Sequence, residues 1–269
     1  MNTLYELTKI IFLIIFVTVS ILIFKIRFFK NDTLNYIFCI ALILIFISLS
    51  NIFTAKSNYL NNHKISVIIL NFKRPHNLVK SLPILNSYNI IDEIIISHGN
   101  PSTYQKFNFS KVRNFKDFDI DKEYGSAIRF LRVMDCKNDI ILFLDDDILP
   151  TELAVNRSHK ILMNNYERNT LYGHIGRVCK KNGYIHTESN MNVVLTPFLM
   201  CKRKIVINYL KDKKYGFEKY KKFFGRFKGN CEDLSLNHYI EKEYLENPIL
   251  IPNDGINELD ISNGHSTVE

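Results

Sequence analysis

Two stretches near the amino end carry no polar face. Residues 7–24, LTKIIFLIIFVTVSILIF, and 34–54, LNYIFCIALILIFISLSNIFT, are almost wholly apolar, and each approaches the ~20 residues with which a helix crosses a bilayer. A helix in a soluble core would keep one polar side. The pattern therefore predicts a two-pass membrane anchor over residues 1–55, followed by a polar, Asn-rich linker at 56–63. From Lys64 the texture changes to short apolar runs closed by polar loops. Ile65–Leu70 reads as a buried strand, Asn71–Arg74 as the loop after it, and Pro75 and Asn77 as the opening of a short helix expected to end before Pro83. Strands are predicted at Glu93–Ser97, near Val112–Phe115 and at Ile140–Leu144, with a helix over 123–136 placing Ile128, Leu131 and Met134 on one side. This alternation predicts an α/β fold of the Rossmann-like, doubly wound kind, with a mostly parallel sheet.

Beyond Pro150 a helix is expected over 151–165. Strands are then expected at Leu171–Val178, Tyr184–His186 and Asn192–Met200, with Asn182-Gly183 as a hairpin turn. They form a smaller, mixed sheet. A helix is read at Cys201–Leu210 and another opening at Asn230–Asn237, with Glu232 and Asp233 in its first turn. The domain is bounded at 64–251, and the tail 252–269, rich in Asn, Asp, Ser and Gly, is expected to be loose.

The chemistry concentrates where the strand Ile140–Leu144 runs into Asp145, Asp146 and Asp147. Ligands of open α/β sheets sit beyond the carboxyl ends of such strands. Capping a turn or a helix accounts for one aspartate but poorly for three, because clustered carboxylates repel unless a cation or a donor network joins them. A hard divalent ion, Mn2+ or Mg2+, shared between carboxylates and substrate phosphates answers that need. The loops Asn71–Arg74 and His98–Asn100 end neighbouring strands and can face the same crevice, which a nucleotide would fit. The sequence contains neither G-x-G-x-x-G nor G-x-x-x-x-G-K-S/T, which removes the dinucleotide and P-loop solutions.

The ordered set ISVIILNFKRPHNL, GSAIRFLRVMDCKNDIILFLDDDILP, LYGHIGRV, MNVVLTPFLM and NCEDLSLN resembles the nucleotide-sugar glycosyltransferases of the GT-A fold, and most closely the C-terminal (family 64-type) domain of exostosin-like transferases, with family-2-like features. The resemblance covers about Lys64 to Ile251. It implies a metal-dependent transferase moving a sugar from a nucleotide-sugar donor, UDP-linked, to a hydroxyl of a glycan or lipid-linked acceptor. By position, Asp145 and Asp146 would meet the donor, Asp147 with Asp145 would bind Mn2+, and His265 would cap the metal. Asn71 and Arg74 would face base and ribose, Asn100 and Arg129 would hold donor phosphate or ribose, and Glu232 and Asp233 would be the catalytic carboxylates. The chain departs from the exostosin pattern in having no Arg after Arg226 and no Cys after Cys231, so stereochemistry stays open between retention and inversion. Two rival readings stay beside it: an inverting family-2-type transferase acting on a cytosolic lipid or polyprenyl-phosphate acceptor, and a non-catalytic scaffold that keeps the fold.

Charge and cysteine add less. The net charge of +8 favours anionic partners such as lipid headgroups and nucleotide phosphates, and no nucleic-acid module is present, so none is expected as partner. Residues 202–228 hold eleven Lys or Arg against Asp212 and Glu218, interleaved with aromatic residues. Such a segment can be a flap over the donor, a grip on an acidic acceptor, a lipid contact or simply a solvated face. Lys25, Arg27 and Lys30 between the spans place that link in the cytosol and the catalytic domain in the lumen, against the vote of Lys56, Lys64, Lys73 and Arg74. Sequons at Asn108 and Asn156 agree with a lumenal domain. Five cysteines without C-x-x-C spacing argue against a zinc site.

Overall fold

The computed structural model describes residues 63–180, 183–185, 192–226 and 231–259, with isolated helical positions between 38 and 48. The two apolar spans and His265 lie outside the described residues, apart from those isolated positions. Among the described residues no helix is long and apolar enough to cross a membrane. The chain divides into two units, Met1–Tyr59 and Leu60–Glu269.

The second unit is built on seven strands: β1 (Ile65–Asn71), β2 (Ile91–His98), β3 (Val112–Lys116), β4 (Ile140–Leu144), β6 (Tyr172–Gly173), β10 (Phe198–Lys202) and β11 (Ile249–Leu250). They form one sheet in the order β11-β6-β10-β4-β1-β2-β3. β1 pairs in parallel with both β2 and β4, and β2 in parallel with β3, whereas β10 lies antiparallel to β4 and β6. This is the mostly parallel α/β arrangement that the alternation of elements predicts, and it fits the GT-A-like fold that the resemblance implies. All five residues of β4 are fully buried, as a strand covered on both faces requires. Ile140, Leu142 and Leu144 join one core with Leu78, Leu82 and Val155, while Ile141 and Phe143 join the other with Phe130, Val206 and Tyr209. The first layer is formed by helices α1 (Pro75–Ser87) and α4 (Glu152–Asn164), the second by α3 (Ile128–Leu131), α5 (Arg203–Lys211), α6 (Phe217–Arg226) and α7 (Glu232–Tyr244). A three-stranded antiparallel sheet, β8 (Gly183–Ile185), β7 (Gly176–Lys180) and β9 (Val193–Val194), is the smaller one.

Boundaries differ from expectation: the strands expected at Leu171–Val178 and Asn192–Met200 each divide, into β6 and β7 and into β9 and β10, and β6 and β10 join the main sheet. Helix α1 runs through Pro83 instead of ending before it. Pro83 is exposed, so the carbonyl it leaves unserved, that of Val79, can bond water at modest cost. The helix expected over 123–136 is broken into α2 (Phe118–Tyr124), a tight turn at Gly125–Ala127, α3 and a last tight turn at Arg132–Asp135, because Gly125 takes φ +53°, which ends α2. Cys201 belongs to β10, not to the helix read from it, and α5 starts at Arg203. The tail from Pro252 is not loose throughout, since β12 (Ile256–Glu258) pairs antiparallel with β5 (Ile148–Pro150), the strand that follows the aspartates. Leu259 N also donates to Asp147 O at 2.7 Å, tying the tail to the Asp turn.

Candidate active site

Four strand ends meet at one edge of the sheet. The register Ile69↔Leu144 between β1 and β4 sets Asn71 level with the Asp turn, and Asn71↔His98 continues the row onto β2. The turn itself is closed by Ile148 N donating to Asp145 O, 3.2 Å, and by Asp145 N donating to Pro197 O, 3.2 Å, just before β10. The Asp turn is thus held by backbone bonds within itself, to the segment before β10 and to the tail at Leu259.

The expected repulsion among the three carboxylates is met by two guanidiniums. Arg74 Nε and Nη2 lie 2.9 and 2.6 Å from Asp146 Oδ1, and Arg74 Nη1 donates to Asp147 Oδ2 at 2.7 Å. Arg74 comes from the loop after β1 and engages the aspartates as well as lining the crevice proposed for base and ribose. Arg129, on α3 and almost fully buried, places Nη1 2.9 Å from Asp145 Oδ1 and Nε 3.8 Å from Glu232 Oε1. It also donates to the carbonyls of Ser126 and Thr196. Arg129 therefore meets the candidate site as the ion-pair partner of two of its carboxylates, with its donors turned to protein. The Arg129–Asp145 contact is off the hydrogen-bond axis, and Asp145 Oδ1 is buried without accepting a hydrogen bond.

Glu232 and Asp233 stand at the start of α7, brought up to Arg129 by Cys231, which takes the left-handed φ of +76°. A left-handed non-glycine residue costs of order 1 kcal/mol or more and persists where the surroundings enforce it. Thr196 Oγ1 donates to Glu232 Oε1 at 3.2 Å, and Leu234 N donates to Asp233 Oδ1 at 2.7 Å. Burial pushes Glu232 up to about 7, with Asp233 and Asp145 adding to the rise against the pull of Arg129. Burial raises Asp233 and Asp147 as well, and raises Asp146 to about 6 although Arg74 holds it down. Five carboxylates share this edge with two arginines, a formal deficit of three positive charges when all are ionised.

The remaining candidates line the next strand ends. Asn71 Nδ2 donates to His98 Nδ1 at 2.8 Å, and His98 Nε2 donates to Asn114 Oδ1 at 3.1 Å; burial lowers the His98 pKa, which keeps the ring neutral and fixes that tautomer. Asn71 Oδ1 is left buried without a hydrogen bond. Asn100 Oδ1 accepts from Ser102 N at 2.9 Å and so shapes the loop after β2. One participant carries no distinguishing signal in the sequence, Thr196. It is a polar residue just before β10 within MNVVLTPFLM, buried at 3%, and only burial distinguishes it from an ordinary loop residue.

A divalent ion fits this donor set. Asp145 and Asp147 are hard oxygen ligands, 29% and 20% exposed, and the buried Asp145 Oδ1 lacks a hydrogen bond. Among the described residues no group of three His, Cys, Asp or Glu could hold a metal alone. A divalent ion here would need further oxygen atoms from a bound substrate beside the two carboxylates.

A mostly parallel α/β sheet whose strand ends gather D-D-D beside a Glu-Asp helix start fits a glycosyltransferase of GT-A-like fold, a class that in general takes a nucleotide sugar and an acceptor. Residues 65–265 match the glycosyl transferase family 64 domain, and the chain belongs to that family. A comparison with curated proteins found no match.

Proposed function

We propose that the protein is a membrane-anchored, metal-dependent glycosyltransferase that moves a sugar, a hexose or N-acetylhexosamine, from a UDP-linked donor to a hydroxyl of a glycan or lipid-linked acceptor. The observation that carries this reading is the charge deficit at the ends of β1 and β4, where, among the described residues, Asp145, Asp146, Asp147, Glu232 and Asp233 are met by the two guanidiniums of Arg74 and Arg129. Asp145 and Asp147 would hold Mn2+ or Mg2+ against the donor diphosphate, and a bound ion supplies Lewis-acid stabilisation of the leaving group. Asn71, Arg74 and Asn100 bound the base and ribose side. The bond from the anomeric carbon to the diphosphate oxygen breaks with the electron pair leaving on the diphosphate, and the acceptor oxygen bonds to that carbon. Its proton passes to a carboxylate at the start of α7, where Asp233 is the first candidate and Glu232 the second. His265 remains the proposed capping ligand.

Anchoring is supported by the two apolar spans and by the described helical positions Ile40, Ile43, Leu44, Ile45 and Ile47, all apolar and exposed. Calorimetry with UDP and Mn2+ tests the site: the wild type binds UDP only with the ion, chelation abolishes binding, and Asp147→Ala removes it while the fold persists. Unchanged UDP affinity in Asp147→Ala sinks the metal-site reading. Hydrolysis of a panel of nucleotide sugars then names the donor.

A further inference from the structure

Helix α6 has two unlike faces. Phe217 and Phe224 are buried, 3% and 1% exposed, in the core under α5 and α7. On the opposite side Lys219, Lys222, Phe223 and Arg226 follow at i, i+3, i+4 and i+7 and form one exposed stripe. Phe223 is 54% exposed, on the face that an amphipathic helix normally keeps polar. The helix contains one acid, Glu218. Lys221 is drawn away from the stripe, 5.3 Å over the Tyr124 ring and 3.9 Å from Glu123. Lys211, Lys213 and Lys214, all exposed, continue the positive charge through the loop that enters α6.

We propose that this face docks on an anionic bilayer, with Phe223 entering the headgroup boundary and Lys219, Lys222 and Arg226 meeting lipid phosphates. The inference rests on the membrane-anchored reading above and takes the cytosolic orientation that Lys56, Lys64, Lys73 and Arg74 favour, because the cytoplasmic leaflet is the anionic one. A soluble polyanion would satisfy the cations but would leave Phe223 in water; a bilayer offers negative charge and apolar depth at one surface, which is how basic-aromatic amphipathic helices bind membranes. The linker 56–63 reaches at most about 28 Å when extended, so a domain tethered by the apolar spans stays within reach of the lipid surface throughout its life. Helix α6 also packs on α2 and on the Gly125–Ala127 turn that leads into α3. The docked helix is thus joined through that turn to the element carrying Arg129.

The chain contains no tryptophan, so Phe223→Trp installs a single fluorophore on an exposed position. The full-length variant is reconstituted into vesicles of phosphatidylcholine alone or with phosphatidylserine, each with and without brominated acyl chains. In the anionic vesicles emission moves to shorter wavelength and brominated lipid quenches it; raised salt reverses both, because screening shortens from about 8 Å to about 3 Å between physiological and molar ionic strength. Each basic residue at an anionic surface is worth about fivefold, so Lys219→Ala with Lys222→Ala lowers the docked-to-free ratio about 25-fold. Emission that stays water-like in both lipids, in protein that resists alkaline carbonate extraction, overturns this inference alone. Protein stripped from vesicles by carbonate overturns the anchored reading and this inference with it. A shift with a soluble acidic polysaccharide, without quenching by brominated lipid, also overturns it and makes the stripe an acceptor surface.

Discussion

Replacing Glu232 by Gln should stabilise the protein at neutral and alkaline pH and flatten its pH dependence. Glu232 ionises at about 7 against an ordinary 4.5, so the folded protein holds this proton more tightly than the unfolded chain. The contribution is therefore complete below about pH 4.5 and is lost as pH rises through about 7. The interval corresponds to about 3 kcal/mol, an upper bound because Asp233 beside it competes for the same proton. Gln keeps the shape and the neutral state at every pH and still accepts from Thr196 Oγ1. Arg129 loses one anionic neighbour in the variant, but Asp145 at 2.9 Å remains.

Urea unfolding at intervals from pH 5 to 8 measures the difference. The two proteins should be nearly equal at pH 5, and the variant should gain about 1–3 kcal/mol by pH 8, with 1 kcal/mol appearing as about 2–4 °C in Tm for a domain of this size. Asp146 and Asp121 also titrate near pH 6 with the same sign, both raised by burial, so the wild-type slope alone proves nothing. Their contribution cancels in the difference between the two proteins. Parallel curves over the whole range would refute the argument and mean that Glu232 is ionised throughout, fully compensated by Arg129.

Arg129→Met keeps the volume and removes the charge that faces Asp145 and Glu232, which should cost about 3–5 kcal/mol in urea unfolding, the usual penalty for leaving buried acids without their partner. An unchanged midpoint would show that the two carboxylates do not depend on it. Asp233→Asn should keep donor affinity by calorimetry and lose about 10²–10⁴ in kcat, because a proton-accepting carboxylate acts on charge that develops in the transition state. Near-normal turnover with a loss of at most ~1 kcal/mol would reduce Asp233 to a partner of the α7 dipole.

The sheet was readable because its strands are unbroken apolar runs ending in charge. ISVIIL and IILFL admit no other burial, and the three aspartates announce themselves because like charge at such an end needs a cause. What failed was local ambiguity settled by distant partners. Cys201 and Lys202 alone could begin a helix, and they finish the strand β10 because β4 lies alongside. Residues 123–136 have helical spacing, yet Gly125 turns the chain so that Arg129 points at Asp145. Ile256–Glu258 is too short to show a period and is ordered by β5. The site was half legible for the same reason. Arg74 was seen as a crevice residue, but its bonds to Asp146 and Asp147, 72 and 73 residues away, have no sequence signature.

Two buried glutamates show why the strand-end cluster is a site and not merely a polar core. Glu93 in β2 is 2% exposed, and burial alone would raise it; Ser66 Oγ at 2.7 Å, Lys137 N at 3.0 Å and Arg113 Nη1 at 2.7 Å together hold it below its ordinary value. Its ionised form is complete within the protein, and nothing is left for a ligand to supply. Glu232 is 6% exposed and has one hydroxyl donor at 3.2 Å and a guanidinium at 3.8 Å that is closer to Asp145. It holds its proton up to about pH 7 because burial outweighs the charge that Arg129 supplies to release it. Protonation carries part of a deficit that Arg74 and Arg129 leave open across five carboxylates. A divalent cation arriving with a nucleotide sugar would reduce that deficit and lower the cost of ionising Glu232 and Asp233, so that the carboxylates able to accept a proton would become available when the donor is in place.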